Sequence, residues 1–429
     1  MVKKLKYTDL LKEELIKEKE KLELEYNDIK SKGLNLTMAR GIPSIEQIDL
    51  SRPLLDVLKS TDDLTNETGI NCASYGSLDG IPEAKRLFAD IMNVEPDMVM
   101  VGGSSSLNMM FDTISAFMYK SPVEGEKPWA EVEDRKFLCV VPGYDRHFAI
   151  SEYFGFEMIN VDLTNDGPDM DKVEELVKDP SVKGMWCVPK YSNPCGITYS
   201  DETVKRIASL KPAAKDFRII YDNAYAIHEL TDDPDVLLPL WDECKKTGNE
   251  DLAIQFCSTS KITFPGGGVA ALACSENNLN YLKSKYTLQI ISYDKVNMLR
   301  HVRYFGDING VKKHMDKHKE ILAPRFNLVC DKLEEQLVPY GIVSYNRPKG
   351  GYFVSANVLN GTAKRVVELC KEAGVVLTGA GATYPYKNDP NNSNIRIAPT
   401  FPSTNELSSA IDVFCICARL AACEYLIEK

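Results

Sequence analysis

A chain of 429 residues, 44% apolar and 26% charged, can fill two or three packed domains, which excludes a disordered chain and a disulfide-stapled miniprotein. Its 62 Asp and Glu against 51 Lys and Arg leave a net charge of −11, which argues against a nucleic-acid or acidic-membrane surface, since phosphates call for basic patches. No apolar run approaches the roughly 20 residues of a membrane span, and the basic start MVKKLKYTDL lacks the apolar core of a secretory signal.

In chain order, residues 8–32 are expected to form a charged amphipathic helix, with Leu11, Leu15, Leu22, Tyr26 and Ile29 on one face for packing on the body or on a partner subunit. Its acids are interleaved with its lysines, so no basic face emerges. From 97 to 275 come seven short apolar runs separated by helical stretches: 98–103, 137–143, 157–162, 184–189, 218–224, 253–260 and 269–275. The expectation is an α/β fold built on one seven-stranded, mostly parallel sheet, with its chemistry just beyond the carboxyl ends of the strands. A helical stretch over 295–338, broken at Pro324, leads into a smaller α+β region with strands at IVSY, GGYFVSA, VVLTG and NIRIAP and helices over 362–373 and 404–427. The expected division is 1–50 as a helix and a small-domain segment, 51–310 as the large domain and 311–429 as the small domain.

Twelve scattered cysteines without a C-x-x-C read as reduced, buried thiols of a cytoplasmic protein. No metal is expected: His314 and His318 sit in a lysine-rich stretch, read as a solvated helix, with no carboxylate motif nearby.

Six segments carry candidate chemistry. Gly102-Gly103-Ser104-Ser105-Ser106-Leu107 links a strand to a helix and offers free N–H groups, hydroxyls and a positive helix end to an anion. Pro142-Gly143-Tyr144 supplies an aromatic after a strand, and Ser192-Asn193-Pro194-Cys195-Gly196 is a turn that invites a cis proline. Asp222 closes an otherwise apolar strand, with Tyr225 three residues on; a capping role is open to this acid as well as a catalytic one. Ser258-Thr259-Ser260-Lys261 ends a strand before Gly266-Gly267-Gly268, and a desolvated lysine there can be a nucleophile or remain a loop lysine. The Ser-x-x-Lys of β-lactamases is rejected, because Tyr221-Asp222-Asn223 and Lys246-Thr247-Gly248 precede the motif instead of following it. Arg396, a cation within an apolar strand, fits a structural salt bridge or a carboxylate clamp.

The order of these segments resembles the class I/II aminotransferases, the fold-type I pyridoxal-phosphate enzymes. The resemblance runs from Tyr75-Gly76-Ser77-Leu78-Asp79-Gly80 through Gly350-Gly351-Tyr352-Phe353 to Arg396. It is closest to a bacterial aspartate-aminotransferase-like branch with ARGIPS-like and SKITFPG-like segments. The resemblance implies pyridoxal 5'-phosphate bound as a Schiff base on Lys261, which then moves the proton between Cα and C4′. It implies Asp222 on the pyridine nitrogen, Tyr225 and Asn193 on the phenolic oxygen, and Tyr144 stacked on the ring. Gly103, Ser104, Ser105, Ser258 and Ser260 are implied for the phosphate, with Tyr75 from a second subunit of a homodimer. Arg396 is implied for the substrate α-carboxylate, with Asn193 and Gly41 of the closing segment Arg40-Gly41-Ile42-Pro43 also at the substrate.

Two departures stand out. Many relatives carry a phosphate-binding arginine eight residues after the lysine; here that position is Val269, with Lys295 of the partner subunit as a candidate replacement. No partner for a distal substrate carboxylate is identifiable. The expected activity is transfer of an amino group between an amino acid, aspartate favoured, and a 2-oxo acid such as 2-oxoglutarate. The same cofactor also supports β-elimination or decarboxylation. A ligand-sensing module fused to a DNA-binding domain is disfavoured, since about 35 residues precede ARGIPS and carry too even a charge for a helix-turn-helix.

Overall fold

The structure, a computed structural model, describes residues 5–429. All seven apolar runs form strands of one sheet: β1 (Val99–Gly102), β2 (Lys136–Val141), β3 (Glu157–Thr164), then, after the two-residue edge piece β4 (Gly167–Pro168), β5 (Val182–Cys187), β6 (Arg218–Asp222), β7 (Ala253–Ser258) and β8 (Ala270–Cys274). Their spatial order is β1-β8-β7-β6-β5-β2-β3-β4. Pairing is parallel from β7 through β3, while β8 is antiparallel to both of its neighbours and β4 is antiparallel to β3. Strands β5 and β6 are buried along their whole length, as expected where helices cover both faces.

A second core gathers a three-stranded antiparallel sheet, β9 (Val343–Tyr345), β10 (Val354–Val358) and β11 (Asn394–Ile397), with the helices Lys12–Ser31, Ile308–Gln336, Ala363–Glu372 and Thr404–Glu428. The first helix docks on the body through Leu15, Leu22 and Tyr26, each apolar side chain worth about 1.5–3 kcal/mol when fully buried. Tyr26 Oη also donates to the Leu369 carbonyl at 3.1 Å. Leu11, expected on this face, is instead exposed, because the helix begins only at Lys12.

The expected break at Pro324 is also corrected. Pro324 lies inside the helix Ile308–Gln336, where burial of Leu322, Arg325 and Phe326 on either side offsets the missing N–H donor. The chain breaks earlier. Gly306, at φ +73°, ends the helix Lys295–Phe305, and the Asp307 carboxylate then accepts from the backbone N–H groups of Asn309 and Gly310 to start the next helix. No helix among the described residues is long and apolar enough to cross a membrane.

Candidate active site

The carboxyl ends of β1, β2, β5, β6 and β7 meet β11 at a cleft of about 590 Å³. Ten of the residues singled out in the sequence line it: Gly41, Ser105, Tyr144, Asn193, Asp222, Tyr225, Ser258, Ser260, Lys261 and Arg396. A larger depression of about 900 Å³ lies at the opposite ends of the strands, beside Arg218 and Leu252, and none of the candidate residues lines it.

Lys261 follows β7 by three residues, and its Nζ lies 5.0 Å from the ring centre of Tyr225 and 5.7 Å from that of Tyr352. Burial of the amine pushes its pKa below the usual lysine value; Arg396 adds to this and Asp222 opposes it. The lysine backbone is anchored from behind. Tyr352 Oη donates to the Lys261 carbonyl at 3.3 Å and accepts from Gln47 Nε2 at 2.9 Å, and His314 Nε2 contacts the Ile262 carbonyl at 2.8 Å.

His314 and His318 are therefore not on a solvated face. Both are buried, 3.1 Å apart between Nε2 atoms, and His318 Nδ1 lies 2.9 Å from Gln47 Nε2. Their spacing of four places both rings on one face of the helix, while the lysines around them in sequence point elsewhere. Desolvation lowers the pKa of both, that of His318 to about 3.

Asp222 ends β6 with a buried carboxylate. His147 Nε2 donates to its Oδ2 at 3.0 Å, and the imidazole stacks on Trp186 with ring centres 4.2 Å apart and planes 3° from parallel. Asp222 Oδ1 is buried with no partner. A carboxylate oxygen left without a donor in such a place is costly, so the site is shaped for a donor brought by a ligand. Sequence reasoning missed His147. Its signal was the spacing: three residues beyond Tyr144, on the first turn of the helix Asp145–Tyr153. Burial, helped by Asp145 and Asp222, pushes the Tyr144 hydroxyl up to about 12, and burial also holds the Tyr225 hydroxyl well above its ordinary value.

The anion cradle is formed by Ser105, Ser258 and Ser260 at the start of the helix Ser106–Tyr119, whose first N–H groups have no helical partner. Ser258 Oγ donates to Ser260 Oγ at 3.2 Å, and Ser260 Oγ donates to the Ser104 carbonyl at 3.2 Å. Ser104 and Gly103, also singled out in the sequence, are exposed beside these serines and do not line the cleft; the Gly103 carbonyl accepts from the Ala270 N–H at 3.1 Å.

Val269 is buried in an apolar cluster and supplies no cation. Lys295, the candidate from the partner subunit, has this setting within its own chain. It is buried, and its ammonium donates to the carbonyls of Ser74 at 2.7 Å and Gly76 at 2.8 Å. Those two bonds flank Tyr75, which stands outside the cleft with 78% of its surface exposed.

Across the cleft, Ile395 and Ile397 of β11 face the second core, and the period-two alternation turns Arg396 toward Lys261. Arg396 Nη1 donates to Asp145 Oδ1 at 2.9 Å and to Asn193 Oδ1 at 3.4 Å, and the guanidinium carbon lies 4.8 Å from the Phe353 ring centre. Gly41 packs on the same ring: a Cβ there would come within 2.3 Å of Phe353 Cζ. The peptide bonds Asn193–Pro194 and Val141–Pro142 are both cis. Arg40 and Arg146 also line the cleft, and neither has a carboxylate partner among the described residues.

Comparison with known proteins identifies what the chain is similar to. A family model described as aspartate amino-transferase matches residues 10–429. An aspartate aminotransferase of Corynebacterium glutamicum is 45% identical over 406 residues, which span 95% of this chain and 94% of that one. The crystal structure of an aspartate transaminase from the same species, at 44% identity, covers 99% of this chain and 100% of its own with a TM-score of 0.96. An α-aminoadipate aminotransferase of Thermus thermophilus, at 18% identity and a TM-score of 0.71 over 94% of this chain and 95% of its own, shares the fold.

Proposed function

The chain belongs to the aspartate amino-transferase family and is an aminotransferase; from that premise we propose that it works with pyridoxal 5'-phosphate and moves an amino group between aspartate and a 2-oxo acid such as 2-oxoglutarate. One observation carries the cofactor reading: a burial-lowered lysine amine and a buried carboxylate oxygen without a partner share one cleft. A protonated pyridine ring with an aldehyde meets both needs. Ser105, Ser258 and Ser260 with the helix N-terminus fit its phosphate, and Gly103 and Ser104 of the same turn lie exposed beside them as further donors.

When bound, the cofactor supplies an aldehyde that joins to amines and a ring that takes up the electron pair left at the substrate Cα. Lys261 would hold it through Nζ, and its amine, neutral when lowered in pKa by burial, would be the group that moves the proton at the substrate Cα. An arginine could not do this, since it stays charged. Asp222 Oδ1 accepts the pyridine N–H, and His147 keeps the other oxygen in place. Tyr225 and Asn193 bond the phenolic oxygen, and Tyr144 covers the ring. Arg396 binds the α-carboxylate, beside Asn193 and Gly41. The unpaired guanidinium groups of Arg40 and Arg146 favour a substrate with a second carboxylate.

We further propose a cytoplasmic homodimer with shared sites, in which Tyr75 of each subunit reaches the other's phosphate. Support comes from the exposure of Tyr75 together with that of Ile42, Ile70 and Ile291. The division at about residues 50 and 310 is proposed from the separate apolar clusters around the two sheets. Lys261→Ala tests the function. The folded variant should lose amino transfer by about 10⁴-fold or more, as expected when a nucleophile that is also the proton carrier is removed. Retained transfer would refute it.

A further inference from the structure

A carboxylate stands inside a site read here as binding carboxylates. Asp145, the first residue of the helix Asp145–Tyr153, lines the cleft and bonds Arg396 Nη1 at 2.9 Å. On electrostatic grounds alone an acid there would weaken binding of a negative substrate, so its geometry matters.

Arg396 is held at one corner and on one face. Nη1 is shared between Asp145 and Asn193, and the Phe353 ring lies under the guanidinium. The opposite edge lacks a carboxylate: among the described residues Nε is buried without a partner, and Nη2 reaches Thr378 Oγ1 at 3.5 Å. Nε–H and the adjacent Nη2–H run parallel, which is the pair a carboxylate takes side-on. Asp145 thus occupies the corner the incoming carboxylate does not need. Its own backbone is fixed by a helix start, where an acid is also favoured by the helix dipole.

We propose that Asp145 is a positioning residue for substrate binding: by holding Arg396 through Nη1 it presents the Nε–Nη2 edge to the substrate α-carboxylate and does not compete for it. This rests on Arg396 being the carboxylate clamp.

The test uses the cofactor-loaded enzyme, with succinate as a non-reacting probe in calorimetry and L-aspartate in steady-state kinetics. Asp145→Ala frees the guanidinium and should weaken succinate binding and raise the KM for aspartate about tenfold, with kcat within about twofold, the size expected for loss of one charge-assisted hydrogen bond that acts on binding alone. Asp145→Asn keeps an acceptor for Nη1 and should recover both to within about threefold. A melting temperature for each variant separates positioning from a structural role, and Asp145→Ser carries the same test if the alanine variant fails to fold. Succinate bound by Asp145→Ala as tightly as by the parent, or more tightly, would overturn the proposal, as would an asparagine variant as weak as the alanine one. Arg396→Ala is the control: unchanged succinate affinity there would overturn the clamp itself, and the proposal with it.

Discussion

The two sides of the cleft are built differently. On the Lys261 side nearly every group has a fixed buried neighbour: Asp222 has His147, His147 has Trp186, and the Lys261 and Ile262 carbonyls have Tyr352 and His314. Of the side chains that line the cleft on this side, Asp222 keeps one buried oxygen, Oδ1, without a partner among the described residues. On the Arg396 side positive charge is in surplus, with Arg40 and Arg146 lacking a carboxylate partner among the described residues and Arg396 Nε buried without one. The first side suits a resident group that stays through many turnovers. The second suits a negative substrate that must enter and leave, since strong fixed partners there would compete with it.

The sharpest way to break this contrast is Asp222→Ala. It leaves His147 without its acceptor and the resident group without its counter-charge. Losing one charge partner that acts in the transition state costs about 3–4 kcal/mol there, so kcat should fall about 10²–10³-fold. Single-turnover absorbance would show the loss in the chemical step, and a fall confined to KM would contradict the assignment.

Arg396→Lys probes the other side. It keeps the charge but loses the paired N–H edge, so KM for both amino and oxo substrates should rise about 10–100-fold with a smaller change in kcat. Steady-state kinetics with aspartate and with 2-oxoglutarate would check it, and a rise for only one of them would refute a shared α-carboxylate clamp.

The smallest effect is a pH shift linking the two sides. The Lys261 pKa lies below the ordinary lysine value because of burial first and Arg396 second. Uptake of pyridoxal phosphate by cofactor-free protein needs the neutral amine, so its rate should fall as pH drops through that lowered pKa. Arg396→Ala removes a positive charge, stabilises the ammonium and should move this limb to higher pH. A limb that stays in place in stopped-flow absorbance would separate the two sides electrostatically.

How much of this was legible in the sequence follows from what each feature depends on. Strand runs, strand-end turns and Lys261, Asp222 and Arg396 could be found because local patterning and order along the chain place them. His147 and Asp145 could not be assigned, since their meaning lies in contacts with Asp222 and Arg396, 75 and 251 residues away. His314 and His318 misled because their neighbours in sequence are lysines, while their neighbours in space are Gln47 and Ile262. Pro324 misled because packing can outweigh one lost N–H, whereas the actual break depends on a glycine and an aspartate cap. Lys295 has a cation's charge, and two of its three donors hold the loop around Tyr75, a contact that sequence alone does not show.

The most direct measurement is the visible absorbance spectrum of the purified protein after incubation with pyridoxal phosphate, before and after addition of L-aspartate. The expected result is a band from the lysine-bound cofactor that aspartate bleaches and 2-oxoglutarate restores. Failure to acquire any visible band, or a band left in place while aspartate is turned over to alanine and carbon dioxide with no need for a 2-oxo acid, would contradict it.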